Sequence, residues 1–294
     1  MTSWIDLGGL EFCVVSGGQF RLDGGSMFGV IPRVLWERHD PPDDRNRIQL
    51  QTNCILARVA GKTILVDTGN GSKMNEKERE IFALRPGVDV RSNLEAMGIA
   101  AEMVDFVILS HLHMDHAGGG TRWMSENAAE PAFPRARYIV QRGEWEDALA
   151  NHSTMRVTYR KENLVPIQAA GLVDFVDGNT DVMAIANARD SANNASVAVK
   201  LECAPGHTPH HQVIHLVGER GRVVFVGDML PTWSHVRAPY NAAYDLCPYE
   251  NMQGKQRLLQ DASAGGWMIV TTHDFNTPVG RVEEASPGSW KLIT

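Results

Sequence analysis

The 294-residue chain has no CxxC pair, no excess of positive charge and no long apolar run. Its four cysteines, Cys13, Cys54, Cys203 and Cys247, are widely separated. Three lie in apolar stretches, where a free thiol behaves as a small hydrophobe. Thiolate metal ligation and a disulfide framework are therefore not expected. Lys and Arg number 28 against 35 Asp and Glu, a net charge of −7. That balance argues against a phosphate-backbone partner, which needs a basic surface. No window approaches the ~20 apolar residues of a membrane span. The start, MTSWIDLGGLEF, lacks the basic and apolar regions of a signal peptide. A cytoplasmic protein with no nucleic-acid or membrane partner is the expectation.

With hydrophobic residues at 43%, there is ample material for a core. Val- and Ile-rich runs predict strands at 10–16, 53–59, 62–68, 104–110, 196–202, 211–217, 222–228 and 267–274. The second and third are joined across Ala60-Gly61, a hairpin signal. Helical patterns occupy 75–84, 90–98, 143–151 and 254–264, with Gly98 placed to end its helix. Both halves of the chain begin with a hairpin-like strand pair. This fits two face-to-face β-sheets with helices outside, in one domain spanning 1–294. Residues 17–47 are different: glycines and prolines alternate with Met27, Phe28, Leu35 and Trp36. A long connection rich in apolar side chains is expected to form a satellite cluster on the core, to cover something or to join two subunits.

The densest chemistry is SHLHMDHAGG, residues 110–119. It follows an apolar strand, where α/β proteins place ligand sites. In an extended chain His111, His113 and Asp115 share a face, and His116 joins them only if the chain bends. The AGGG that follows supplies flexibility for such a bend. Adjacent side chains diverge, so further ligands are needed. His207 in CAPGHTPHH, Asp228 in VVFVGDML and His273 in VTTHDF each lie at or near the end of a strand-like run. Imidazole and carboxylate without thiolate suit a catalytic Zn²⁺ with open positions; iron, manganese or cobalt would use the same donors. His39 and His152 have no motif context and read as surface residues.

HLHMDH followed in order by GHTPHHQ, FVGD and TTHD resembles the metallo-β-lactamase superfamily. The resemblance runs from about Asp67 to His273. It implies an αββα sandwich of two mixed sheets flanked by helices, with two metal ions at the sheet edges. It assigns His111, His113 and His207 to one metal and Asp115, His116 and His273 to the other, with Asp228 bridging. Asp67 would orient a ligand histidine. Two cations sharing a carboxylate can also share a water, whose pKa falls from near 16 to roughly 7. The resulting hydroxide would attack an ester, with Asp115 orienting it and taking its proton.

Within the superfamily, GGSMFGVIPRVLW (24–36), RNRIQLQTNCILA (45–57) and GDMLPTWSHV (227–236) resemble the N-acyl homoserine lactonases and the related methyl parathion hydrolases. A small-molecule lactone or ester is then the expected substrate, its acyl tail lined by Met27, Phe28, Leu35 and Trp36. The alternatives are an organophosphate triesterase or aryl esterase, a glyoxalase II-like thioesterase, and a non-catalytic metal-binding or structural subunit. Lactonases of this branch carry a tyrosine three residues after the bridging aspartate. Pro231 stands there in this chain, leaving His235, Tyr240 or Tyr244 to polarise the substrate carbonyl. His210 also replaces the usual glycine of GHTPGH, where it would narrow the pocket or point to solvent. The 17–47 segment has a homodimer contact as its other expected use.

Overall fold

The computed structural model, which describes residues 3–126, 128–150, 157–182 and 197–293, arranges the apolar runs in two seven-stranded sheets. Strands of the first half are β1 (Ile5–Asp6), β2 (Leu10–Asp23), β3 (Arg47–Val59), β4 (Lys62–Val66), β5 (Phe106–Ile108), β6 (Thr121–Ser125), β7 (Ala128–Pro131), β8 (Arg137–Gln141) and β9 (Val173–Val176). The second half adds β10 (Thr180–Asp181), β11 (Ala198–Cys203), β12 (Gln212–Gly218), β13 (Gly221–Phe225), β14 (Met268–Val270), β15 (Val279–Ser286) and β16 (Ser289–Ile293). The first sheet has the order β1-β2-β3-β4-β5-β8-β9, and the second runs from β10 to β16 in sequence order. β6 and β7 form a separate hairpin.

Alternation along the strands sets the layers. Ile55 and Ala57 of β3 face Ile214 and Leu216 of β12 in one buried cluster between the sheets. Their neighbours Cys54 and Leu56 point the other way, into a cluster with Val90, Leu94, Trp145, Leu164 and Ile167 of the outer helices. Val213, Val224 and Ile269 of the second sheet likewise pack on Leu258, Leu259 and Ala262 of the helix Pro248–Gly265. Both sheets are covered on both faces, which is why their strands read as continuous apolar runs. Burying each such side chain contributes roughly 1.5–3 kcal/mol. The result is the expected αββα sandwich. Among the described residues no helix is long and apolar enough to cross a membrane.

The β3–β4 hairpin closes with Val59 opposite Lys62. Ala60 and Gly61 both have positive φ, 48° and 73°, the primed turn that suits a two-residue hairpin. Each half then follows its hairpin with a parallel strand: β5 beside β4, and β14 beside β13. Parallel neighbours end on the same side, so four C-terminal strand ends line one edge of the sandwich. The segments after them carry Asp67, His111 to His116, Asp228 and His273. Cross-sheet hydrogen bonds tie this edge together, from Asn53 N to Thr272 O (2.7 Å) and from Gln212 N to Ser110 O (3.0 Å).

Several sequence expectations are corrected. The connection does not begin at Gly17, because β2 continues to Asp23, with an irregularity between Ser16 and Gln19. A side chain at Gly17 would meet Thr52 Oγ1 at 2.6 Å, so glycine serves close strand packing there. The segment beyond holds two short helices, Gly24–Phe28 and Arg33–Trp36. The longest helix begins at Pro248 rather than Gly254, with proline in its first turn, where no N–H partner is lost. Asn151 and His152 lie outside the described residues.

Candidate metal centre

The chain leaves β5 extended and turns helical at Met114, with His116 N and Ala117 N both donating to His113 O (3.0 and 2.9 Å). That turn swings His116 back toward His111. The bend therefore precedes the glycines, which serve another purpose. A Cβ on Gly119 would stand 2.1 Å from Thr68 O, so Gly118 and Gly119 let the metal loop press against residues 68–71.

Seven predicted ligands converge. His111, His113 and His207 form one group of donor atoms within 4.8 Å of one another, and Asp115, His116 and His273 form another. Asp228 stands between them. Its Oδ1 is 3.2 Å from His116 Nε2 and 3.1 Å from His273 Nε2, while Oδ2 is 3.3 Å from His207 Nε2. His207 Nε2 and His113 Nδ1 face each other at 3.0 Å. Asp115 Oδ2 lies 3.5 Å from His273 Nε2. His111 Nε2, His116 Nε2 and Asp228 Oδ1 are buried with no hydrogen-bond partner. Unpaired buried polar atoms are costly, and cations between these donors would satisfy them. The residues fit a two-metal centre.

Outer partners fix which ring nitrogen faces inward. Asp67 Oδ2 is 2.7 Å from His116 Nδ1, and Asp245 Oδ1 is 2.8 Å from His207 Nδ1. The Gln51 carbonyl lies 3.1 Å from His273 Nδ1, and Ser110 Oγ lies 3.1 Å from His111 Nδ1. Each partner accepts a hydrogen bond from Nδ1–H, which leaves the Nε2 lone pair for a metal. Asp67 lies against His116, where the sequence reading has it orient a histidine. Its positive φ of 56° lets the carboxylate also accept from Ser110 N and Oγ, both at 2.7 Å. Burial and the neighbouring imidazoles hold His111 and His113 well below the usual histidine range. Burial opposes charge on His116 and His207 too, but Asp228 and the outer carboxylates outweigh it and raise both. Burial would protonate Asp228; His273, His116 and His207 overcome that and keep it ionised.

Sequence reasoning missed Asp245, Gln51 and His211. His211 is held far down, to about 3, by burial and then by His207. As a neutral ring it accepts from Asp228 N at 3.1 Å and so helps place the Asp228 carboxylate. Its crowding with His207 was the only signal. His210 points outward, 3.7 Å from Asp147, and its side chain is 46% exposed.

Three of the four residues of the expected acyl pocket, and His235 among the expected carbonyl donors, are buried. Met27 and Phe28 have no exposed surface and Trp36 is 2% exposed. They pack with Phe20, Ile48 and Leu50 as the interior of a cover, because a short apolar segment is best stabilised by burying its own side chains. Leu35 faces solvent, on a surface cleft of about 410 Å³ shared with Trp36, Trp233, Tyr240 and Trp290. His235 stacks on Phe28 at 4.6 Å, and Trp36 stacks on Phe28 at 5.1 Å. The His235 Nδ1 accepts from Thr232 Oγ1 and its Nε2 donates to Met27 O, both at 2.8 Å. Both nitrogens are engaged, so His235 is no free catalytic group. Tyr240 sits edge-on to Phe28. Tyr244 is the candidate beside a ligand, its ring 5.6 Å from His207 and its hydroxyl 3.1 Å from Met27 Sδ. Pro231 contributes its carbonyl, which accepts from His273 N at 2.7 Å.

Comparison with known proteins gives a consistent picture. A family model described as the metallo-beta-lactamase superfamily matches residues 47–185 and 197–273. An N-acyl homoserine lactonase of Bacillus cereus is 28% identical over 191 residues, covering 62% of this chain and 64% of that protein. The N-acyl homoserine lactonase AttM of Azorhizobium caulinodans is 25% identical over 189 residues, covering 62% and 63%. The chain thus spans less than two thirds of the length of these relatives. A solved probable metal-dependent hydrolase from Staphylococcus aureus superimposes with a TM-score of 0.84 at 23% identity, over 98% of this chain and 99% of that one. AidC, a dizinc quorum-quenching lactonase, superimposes with a TM-score of 0.77 at 18% identity, over 99% and 96%.

Proposed function

The chain belongs to the metallo-beta-lactamase superfamily, and from that premise we propose that it is a two-metal hydrolase that opens N-acyl homoserine lactones or similar esters. The observation that carries the reading is the Asp228 carboxylate, one oxygen toward His116 and His273 and the other toward His207. The lactonase relatives support the choice of substrate class.

His111, His113 and His207 would hold one cation, Asp115, His116 and His273 the other, and Asp228 both. Zinc suits this nitrogen and oxygen set, which lacks thiolate. When bound, the cations would supply Lewis acidity toward the ester carbonyl and lower the pKa of water to roughly 7. The protein groups do the rest. Asp115 keeps 19% of its side chain exposed, so one carboxylate oxygen can take a proton from the attacking water and pass it to the leaving alkoxide. Burial pushes the Tyr244 phenol well above its usual range. It therefore stays protonated and can donate a hydrogen bond to oxygen as charge develops there. The test is metal analysis together with a panel of acyl homoserine lactones, an aryl ester and a phosphotriester. Two metals per chain, with lactone turnover lost on chelation, supports the reading. Faster turnover of the phosphotriester would move the substrate class, and a metal-free active protein would overturn the mechanism.

A further inference from the structure

Glu144 is fully buried, on the helix Arg142–Ala150 beside the apolar Trp145 and Ala148. A carboxylate in such a place is costly unless its oxygens are hydrogen-bonded. Three donors meet it. Oε1 accepts from Leu112 N at 3.0 Å and from the Tyr159 hydroxyl at 2.8 Å, and Oε2 accepts from Thr208 Oγ1 at 2.7 Å. Every donor adjoins a ligand. Leu112 stands between His111 and His113, Thr208 follows His207, and the Tyr159 ring is 5.1 Å from His113.

His113 and His207 are 94 residues apart in the chain. One side chain therefore joins the two loops that supply the His111–His113–His207 group. The other group is held by different means, Asp67 on His116 and the Gln51 carbonyl on His273. We propose that Glu144 is a positioning residue that sets the spacing of the His111–His113–His207 metal site and leaves the Asp115–His116–His273 site unaffected. The proposal rests on the two-metal reading above.

Leucine at 144 would fill the space but leave three buried donors unpaired. Glutamine would keep them: its carbonyl can accept from Leu112 N and Tyr159, and its amide can donate to Thr208 Oγ1. The test is zinc release from the loaded protein to a chromophoric chelator. Wild type should yield two equivalents. Glu144→Leu should release one of them ten- to a hundredfold more readily, on the order of other outer-partner losses, with the second unchanged. Glu144→Gln should stay within about threefold of wild type, since its hydrogen bonds persist. In a His273→Ala background, Glu144→Leu should weaken the remaining equivalent; in a His207→Ala background it should add nothing, because its target is already broken. If Glu144→Leu does not fold, Thr208→Val removes a single donor and should weaken the same equivalent. Wild-type retention in the leucine variant, or in Thr208→Val where that stands in for it, overturns the proposal. Equal weakening of both equivalents, or a glutamine variant as poor as leucine, does the same. A wild type that never holds two metals would instead overturn the functional reading.

Discussion

His111 and His235 are both histidines with no exposed surface, yet one stands at the sheet edge and the other in the cover. His111 Nε2 has no hydrogen-bond partner, whereas both ring nitrogens of His235 are paired, with Thr232 and Met27. Folding does not favour a buried polar atom left unpaired, so the edge is arranged for something that binds there. The cover is arranged for itself. Residue type alone does not separate these two histidines; hydrogen-bond completeness does.

The hardest test of that contrast is at Asp228. Asp228→Ala removes the only carboxylate among the described residues that faces both histidine groups, so hydrolysis should fall below detection and metal content below two per chain. Circular dichroism should stay native, because the sheets pack without it. A variant that keeps both metals and near-normal turnover would break the dinuclear picture. Next in size is Asp115→Asn, which keeps one ligating oxygen but cannot take a proton. Turnover should drop roughly 10²–10⁴-fold, the usual worth of a positioned acid or base, while metal content changes far less. Equal loss of both would make Asp115 a ligand and nothing more.

The residues that converge at the sheet edge were legible because histidines and aspartates that end apolar strands, in that order and number, have no common structural use as a set. The αββα layering was legible from short Val- and Ile-rich runs. Other parts were hidden for physical reasons. Gln51 acts through its backbone carbonyl, which any residue would offer. Asp245 and Glu144 act through hydrogen bonds to residues distant in the chain. The helix Lys161–Ala169 was concealed by Pro166 inside it, since proline ordinarily argues against a helix interior. The packing of the cover was not legible, because apolar residues among glycines suit a pocket wall and a small core equally well, and only the structure shows Met27, Phe28 and Trp36 packed together.

In the cover, Phe28→Ala should act on stability rather than chemistry. The ring lies between Trp36 and His235, and deleting a buried phenylalanine costs about 3–5 kcal/mol. The denaturation midpoint should fall while metal content and the preference among acyl-tail lengths stay as they were. A flattened tail-length preference with unchanged stability would return Phe28 to the substrate pocket and erase the distinction between edge and cover.

The smallest effect is also the most specific to the cover. Burial is the main cause that pushes His235 down to about 3, while in the unfolded chain it titrates near the usual ~6.5. Between those values the unfolded state holds one proton more than the folded state, so the contribution of neutral His235 is intact above about pH 6.5 and is lost as pH falls. From pH 7 to 5 that amounts to about 2 kcal/mol at most. His235→Gln retains a donor for Met27 O and an acceptor for Thr232 but cannot titrate. The variant should start less stable at pH 7, having lost the stack on Phe28, and then lose about 2 kcal/mol less than wild type on the way to pH 5. Acid release of metals affects both proteins alike and cancels in the difference. The measurement is urea denaturation of each at the two pH values. Parallel losses would mean that His235 takes up its proton without unfolding, and that the cover opens to water where the stacked rings now exclude it.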